Sequence, residues 1–339
     1  MRKSVRPLSR AIGLDCPLIN HPNQAGDVTS TDQDSPPTSV LLPTVRWTDA
    51  CEEVAGQLGE RDELLVICDT ADDPVADRRE TTPDGVRIVL AGEPEGCSGK
   101  ANAIATGMEV AEHDRVVWTD DDFAHPGDWL ATLNADYERQ GPTTEIPVFV
   151  GTDPLARLFE PAYAIGGTGA VFAGGIVWGG AVVFERDDLR DGQDAFLADL
   201  RRTVSDDGTL SEHIDVTAAN RTRVVPAGGS IRGSVERFVR FFRIVRFHAP
   251  RAAAFNVAFA VVFAALCLFA PAVGVTLVTA ISAAVYVRFG IRRATFLLAG
   301  PAVLVSPLFL AYALARRTFV WGGRRYRWRS LFEVEVLPV

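Results

Sequence analysis

In Arg115-Val116-Val117-Trp118-Thr119-Asp120-Asp121-Asp122 a short apolar run ends abruptly in three carboxylates. A run this short and this rich in β-branched and aromatic residues suits a buried strand better than a helix. Carboxylates set at the end of such a strand can hold Mg²⁺ or Mn²⁺, hard cations that take oxygen ligands. Asp120 and Asp122 form a D-x-D pair. In an extended stretch their side chains would point to the same side, because strand periodicity is two. An acidic surface loop in an acidic protein is the plainer alternative.

The sequence before this run repeats one rhythm. Ser39-Val40-Leu41-Leu42-Pro43-Thr44 reads as a buried strand that leaves through a loop, and Thr48 stands where it can cap a helix running to Leu58. Glu63 to Asp69 and Val86 to Leu90 read as two more strands, and Ser98 to Glu112 as a helix opened by a Gly-rich turn. Strands alternating with helices predict a mostly parallel, doubly wound α/β sheet, with ligands at the carboxyl ends of the strands. Asp69 and Asp120–Asp122 then face one crevice. The Gly-rich stretch from Gly166 to Phe184 is expected as a buried strand and loop; its glycines and Trp178 would allow close approach of a substrate.

Three further motifs carry chemistry. Gly96-Cys97-Ser98-Gly99-Lys100-Ala101-Asn102 is not a P-loop, because Pro94 and Ala101 stand where that motif needs Gly and Ser or Thr. A lysine at a helix start can still meet a phosphate, helped by free backbone N–H groups. Lys100 is one of only two lysines in the chain, the other being Lys3. In Ser205-Asp206-Asp207-Gly208 a carboxylate could act as general base on a hydroxyl, or simply cap a helix. Arg237-Phe238-Val239-Arg240-Phe241-Phe242-Arg243 puts Arg237 and Arg240 on one helix face. Their planar forks suit phosphate oxygens, and equally the anionic head groups of a membrane surface.

Charge is divided unevenly along the 339 residues. The formal net charge is −9, yet the ten arginines after Pro250 face only Glu333 and Glu335. The acidic first part argues against general nucleic-acid binding, which needs cations against phosphate. Abundant Asp, Ala and Val with almost no Lys resemble the composition of proteins from salt-loving archaea. Five cysteines without a C-x-x-C pair suggest reduced thiols and no zinc site.

Ala252 to Val287 contains no charged residue and exceeds the roughly 20 residues that one membrane span needs. Pro271 and Gly274 mark a tight hairpin within it. Thr295 to Ala315 is a second apolar stretch, set off by Arg288, Arg292 and Arg293. Three full spans would place the two Arg-rich ends on opposite sides of the bilayer, against the tendency of cations to stay on the cytoplasmic side. A re-entrant or interfacial segment would resolve the conflict. The expected organisation is a disordered tail over 1–38, a catalytic domain over 39–235, an interfacial Arg-rich segment over 236–251, membrane helices over 252–315 and a basic cytoplasmic tail over 316–339.

Together these pieces resemble family-two glycosyltransferases of GT-A fold, and within them the ceramide glucosyltransferase-like branch. The resemblance is carried by Leu41-Leu42-Pro43-Thr44, Asp72-Asp73-Pro74, Gly96 with Lys100 and Asn102, Asp120, Asp206-Asp207 and Arg237-Phe238-Val239-Arg240-Phe241, in that order. Trp321-Gly322-Gly323-Arg324-Arg325-Tyr326 is similar to the tail of such enzymes. Phe241 stands where Trp is usual, and residues 1–38 are polar where that branch commonly has a membrane segment.

The resemblance implies inverting transfer of a sugar from a nucleotide-sugar donor, UDP-linked, to a lipid acceptor. It implies that Asp69 and Asp73 contact the base and ribose, that Lys100 faces the diphosphate, that Pro43 and Asn102 also belong to the donor site, and that Asp120 and Asp122 bind Mg²⁺ or Mn²⁺. Asp207 would be the base with Asp206 supporting it, and Arg237 and Arg240 would hold the diphosphate or the acceptor. The catalytic domain would be cytoplasmic on a multi-pass cell-membrane protein. A polyprenyl-phosphate acceptor and a non-catalytic, membrane-tethered binding protein are the alternatives.

Overall fold

The computed structural model describes residues 36–338; the polar stretch expected as a disordered tail lies, up to residue 35, outside the described residues. The chain opens with β1 (Thr38–Pro43), α1 (Asp49–Ala55), β2 (Glu63–Cys68), β3 (Val86–Leu90), α2 (Gly99–Val110) and β4 (Arg115–Thr119). It continues through α3 (Trp129–Gln140), β5 (Thr143–Gly151), α4 (Pro154–Tyr163), α5 (Gly169–Gly174) and β6 (Ala181–Glu185). Then come α6 (Gly192–Leu200), α7 (Asp206–His213), β7 (Thr217–Ala227) and α8 (Ile231–His248). Three apolar helices follow, α9 (Pro250–Phe269), α10 (Pro271–Arg288) and α11 (Ala299–Ala315). The chain closes with β8 (Thr318–Trp321), β9 (Arg324–Ser330) and β10 (Glu333–Leu337).

Seven strands form one mixed sheet in the order β3-β2-β1-β4-β6-β5-β7. β3, β2, β1 and β4 run parallel, while β6 is antiparallel to both β4 and β5. The sheet is buried on both faces, and the residues of each strand divide between them with period two. Val40, Leu42, Val66 and Val117 join one core with Val54 of α1 and Leu133 of α3. Leu41, Leu65, Ile67, Val116 and Trp118 join the other with Ile104 of α2 and Phe196 of α6. Trp118 is fully buried and stacks on Phe196 at 5.9 Å; truncating a buried tryptophan to alanine costs about 3–5 kcal/mol. This is the doubly wound α/β architecture that the alternating runs predict, of GT-A type. Three helices long and apolar enough to cross a membrane follow it.

Several local expectations change. Thr48 precedes α1, but its side chain makes no capping bond, and the helix ends at Ala55 rather than Leu58. The Thr48 hydroxyl lies 3.8 Å from the Cys51 thiol instead. The Gly-rich stretch is half helical. α4 continues through a wide turn at Ala164–Thr168 into α5, and only Ala181–Glu185 is strand. The Thr168 hydroxyl ties that turn to the Pro147 carbonyl of β5 at 2.7 Å. A side chain at Gly167 would come within 3.2 Å of the Phe149 ring, so the glycine permits the close approach that the sequence suggests, but to β5.

The basic tail after Ala315 is folded. It forms a three-stranded antiparallel sheet in the order β10-β9-β8. Alternation explains this. Phe319, Tyr326 and Trp328 point inward onto Val239 and Phe242 of α8. The outward Arg327 and Arg329 pair across the strands with Glu335 and Glu333.

Candidate active site

The parallel strands β1, β2 and β4 release Pro43, Asp69 and Asp120–Asp122 at their carboxyl ends, into one cavity of about 360 Å³. α2 contributes Lys100, α7 contributes Asp206 and Asp207, and α8 contributes Arg237, Arg240 and Phe241. Nine of the eleven side chains singled out in the sequence are thus gathered in one place.

Lys100 is its hub. The Ser98 hydroxyl caps α2 by accepting from the Ala101 amide at 3.0 Å, which fixes the first turn and aims the lysine inward. Its Nζ lies 2.7 Å from Asp120 Oδ1, 3.1 Å from Asp206 Oδ2 and 4.0 Å from Asp207 Oδ1. Burial alone would lower the ammonium's pKa, but Asp120, Asp206 and Asp207 together hold it well above its ordinary value. Asp207 is raised by burial first and then by Asp206. Asp122 is raised by its enclosure and by Asp120.

The three aspartates after β4 do not alternate as strand residues would. The strand ends at Thr119, and Asp120, Asp121 and Asp122 all line the cavity. Asp121 accepts from the Thr44 hydroxyl at 2.5 Å. On α8, Arg240 lies 4.1 Å from the Trp321 ring and 5.3 Å from the Phe241 ring. Burial, and then Arg237, lower the Arg240 guanidinium to about 10, so it keeps its charge at neutral pH.

Asp73 and Asn102 lie outside the cavity lining. Asp73 Oδ2 accepts from the backbone N–H groups of Asp69 and Thr70 at 2.9 and 2.8 Å, and so holds the turn after β2. Asn102 donates to the carbonyls of Ala91 and Gly92 at 3.2 and 2.9 Å and accepts from Arg201. The Asn102 side chain is fully taken up by these partners, while Asp73 holds the backbone through one of its two carboxylate oxygens.

Other residues enter from far along the chain. Arg324 reaches back from β9 to Asp69 and Glu93, each at 2.6 Å. Asp69 is raised by burial, and Arg324 acts against that rise. Tyr326 accepts from the Gly99 amide at 3.2 Å, taking up a free donor of the α2 terminus. Gly322 and Gly323, at φ 55° and 74°, form the turn between β8 and β9; a two-residue hairpin turn of this hand favours glycine. The Trp-Gly-Gly-Arg run was the available signal for this tip.

Gly179 is the remaining addition. Its N–H donates to Asp207 Oδ1 at 3.0 Å, and an added Cβ would sit 2.3 Å from that oxygen. Gly179→Ala must therefore push the Asp207 carboxylate aside. Misplacement by about an ångström costs on the order of 100-fold in rate. The expected result is a loss of that order in kcat with an unchanged melting temperature, read by steady-state kinetics and thermal unfolding; full activity would show that Asp207 does not need this position.

Residues 48–193 match the family model described as Glycosyl transferase family 2. The chain carries a family-two glycosyltransferase domain. It is a glycosyltransferase. No curated protein matches the chain. Among solved structures it is similar to glucosyl-3-phosphoglycerate synthase from Mycobacterium tuberculosis. The complex of that protein with Mn²⁺, uridine-diphosphate-glucose and phosphoglyceric acid aligns at 16% identity and TM-score 0.39, over 63% of this chain and 81% of that one. Its complex with Mg²⁺ and uridine-diphosphate aligns at 15% identity and TM-score 0.40, over 63% and 80%. Scores this low describe a loose likeness.

Proposed function

We propose that this glycosyltransferase moves a sugar from a nucleotide sugar, UDP-linked, to the hydroxyl of a membrane lipid with inversion at the sugar carbon. The observation that carries this reading is the placing of Asp207 beside Lys100 and Asp120, in a cavity edged by Arg237 and Arg240. The helix bearing those arginines leads directly into the apolar helix α9. The acceptor therefore meets the site at the level of a bilayer. The order of the motifs supports the ceramide glucosyltransferase-like branch. The catalytic domain spans 39–235 and faces the cytoplasm, segment 236–251 lies at the membrane interface, and the apolar block 252–315 anchors the chain in the cell membrane.

The cavity's charge fits a divalent cation. Six carboxylates, Asp69, Asp120, Asp121, Asp122, Asp206 and Asp207, line it against Lys100, Arg237, Arg240 and Arg324, a formal excess of two negative charges. Among the described residues no group of three His, Cys, Asp or Glu side chains is arranged to hold a metal alone. Asp120 and Asp122 would hold Mg²⁺ or Mn²⁺ with oxygens of the donor completing its shell. When bound, the cation neutralises charge on the departing diphosphate.

The chain's own groups do the rest. Asp69, beside Pro43, offers its second oxygen to the nucleoside while Arg324 fixes the first. Lys100, Arg237 and Arg240 supply fixed positive charge where the leaving group gains negative charge. Asp207 takes the proton of the acceptor hydroxyl as oxygen attacks the anomeric carbon and the bond to the diphosphate breaks. Its raised pKa makes it a stronger base than an ordinary aspartate. One displacement needs one base, and Asp206 keeps that base beside Lys100.

The test is UDP release from a panel of nucleotide sugars by detergent-solubilised protein with membrane lipid extract. Release is expected to need both lipid and Mg²⁺ or Mn²⁺ and to stop on chelation. No lipid-dependent release with any donor would revive a purely binding role.

A further inference from the structure

The three apolar helices do not stand alike toward the catalytic domain. α9 starts beside it: His248, just before Pro250, pairs with Glu212 of α7 at 2.8 Å. α10 ends beside it: the Tyr286 hydroxyl donates to Glu160 of α4 at 3.4 Å, and Arg288 lies 4.3 Å over the Phe172 ring of α5. The link into α11 is held by the same buried glutamate, which accepts from Arg293 Nε at 2.7 Å and from the Thr295 hydroxyl.

α11 also ends on the catalytic side. Phe309, past its middle, packs on Phe159 of α4 at 4.8 Å and on Phe238 of α8 at 5.6 Å. At its end Arg316 pairs with Glu236 of α8 at 3.1 Å, and its carbonyl accepts from Arg243. A helix crossing a hydrocarbon layer about 30 Å thick has its ends on opposite sides. α11 has both of its flanks on one body, while Ala299 and Val303 in its first half pack on Cys267 of α9 and Val278 of α10. Its other face is an apolar stripe of Leu304, Leu308 and Tyr312, one residue per turn, at 38%, 72% and 40% exposure.

The junction of α9 and α10 is different. Leu268 and Phe269 are 66% and 88% exposed there. The two helices, of 20 and 18 residues, reach about 30 and 27 Å at 1.5 Å per residue, enough to cross. From these contacts we propose that only α9 and α10 cross the bilayer, as a single hairpin. The segment 294–315 then enters and leaves the bilayer on the catalytic side, its first half packed against Cys267 and Val278 of the hairpin, with its leucine stripe toward the lipid.

This inference rests on the membrane-anchored reading above. It resolves the charge conflict in the sequence. Arg251, Arg288, Arg292, Arg293, Arg316 and Arg317 all fall on the catalytic side, and no charged residue lies between 252 and 287, as the preference of cations for the cytoplasmic side requires. It also sets the cavity-lining arginines of α8 at the head-group level.

The test uses the full chain with its five cysteines replaced and transferase activity retained. Single cysteines are introduced at Gly127→Cys in the catalytic domain, Ala272→Cys at the hairpin tip, Arg292→Cys before α11 and Ser330→Cys in the final sheet. Sealed vesicles of each orientation are treated with a membrane-impermeant maleimide. The expected result is labelling of positions 127, 292 and 330 from one side, with only background there at 272, and the reverse from the other side. Position 330 labelled with 272 would show that α11 crosses and would overturn the proposal. Position 272 labelled with 127 would show that the hairpin does not cross, and would also overturn it. Failure of the anchored reading itself looks different: alkaline carbonate would release the chain from the vesicles.

Discussion

Asp207→Asn is expected to lower kcat by about 10²–10⁴-fold, the range for loss of a positioned general base, while the KM for the nucleotide sugar moves little. The substitution keeps the shape of the side chain and an oxygen able to accept from the Gly179 amide, now 3.0 Å away. What it removes is the capacity to take a proton. The comparison also separates two acceptors. A lipid hydroxyl must lose its proton as it attacks, and so depends on the base. A polyprenyl phosphate arrives ionised and does not. A near-normal kcat, measured by initial rates at saturating donor and lipid, would sink the general-base role and favour the phosphate acceptor.

Lys100→Met is the second large expectation, and it reaches both stability and activity. The lysine side chain is 15% exposed and lies within 4.0 Å of three carboxylates. Removing one partner of a buried ion cluster leaves the others uncompensated, at about 3–5 kcal/mol. Asp120 and Asp207 retain some solvent contact, which places the expected loss near the lower end, about 3 kcal/mol. The sign at neutral pH is clear. A lysine held above its ordinary pKa contributes its full share there, and loses it only as pH rises through the raised value. The predicted result is a clear fall in melting temperature with near-complete loss of turnover. Mg²⁺ or Mn²⁺ should raise the melting temperature of Lys100→Met more than that of the parent, because a cation can take over the lost charge. An unchanged melting temperature would show that the acidic cluster does not depend on Lys100.

The sequence made the frame legible because the frame is local. Buried strands of five or six residues announce themselves as short apolar runs, and the carboxyl ends of β1, β2 and β4 follow from them. Asp120, Asp122, Lys100, Asp206, Asp207, Arg237 and Arg240 could therefore be named before their geometry was visible. Asp73 and Asn102 fared differently, since polar side chains beside a turn can bond either a ligand or the backbone. Their types and spacing suit both uses, and only the fold shows the carbonyls of Ala91 and Gly92 within reach of Asn102. Arg324 was out of reach for another reason. It meets Asp69 across 255 positions of sequence, and no periodicity links residues that far apart. The basic segment 316–339 reads by its charge only as a tail on the membrane's cytoplasmic side, while the alternation of Phe319, Tyr326 and Trp328 with arginines already had the period of a sheet. The apolar block was plain from composition, but its arrangement depends on Glu160, a buried carboxylate in α4 that nothing in the apolar block itself reveals.

The most direct test of the central claim is mass spectrometry of native membrane lipids after incubation with the purified protein, a nucleotide-sugar panel and Mg²⁺ or Mn²⁺. The predicted result is one lipid class that gains a single hexose, with inverted configuration at its anomeric carbon, from wild type and not from Asp207→Asn. Sugar appearing only on soluble acceptors, or only on water, would contradict the account.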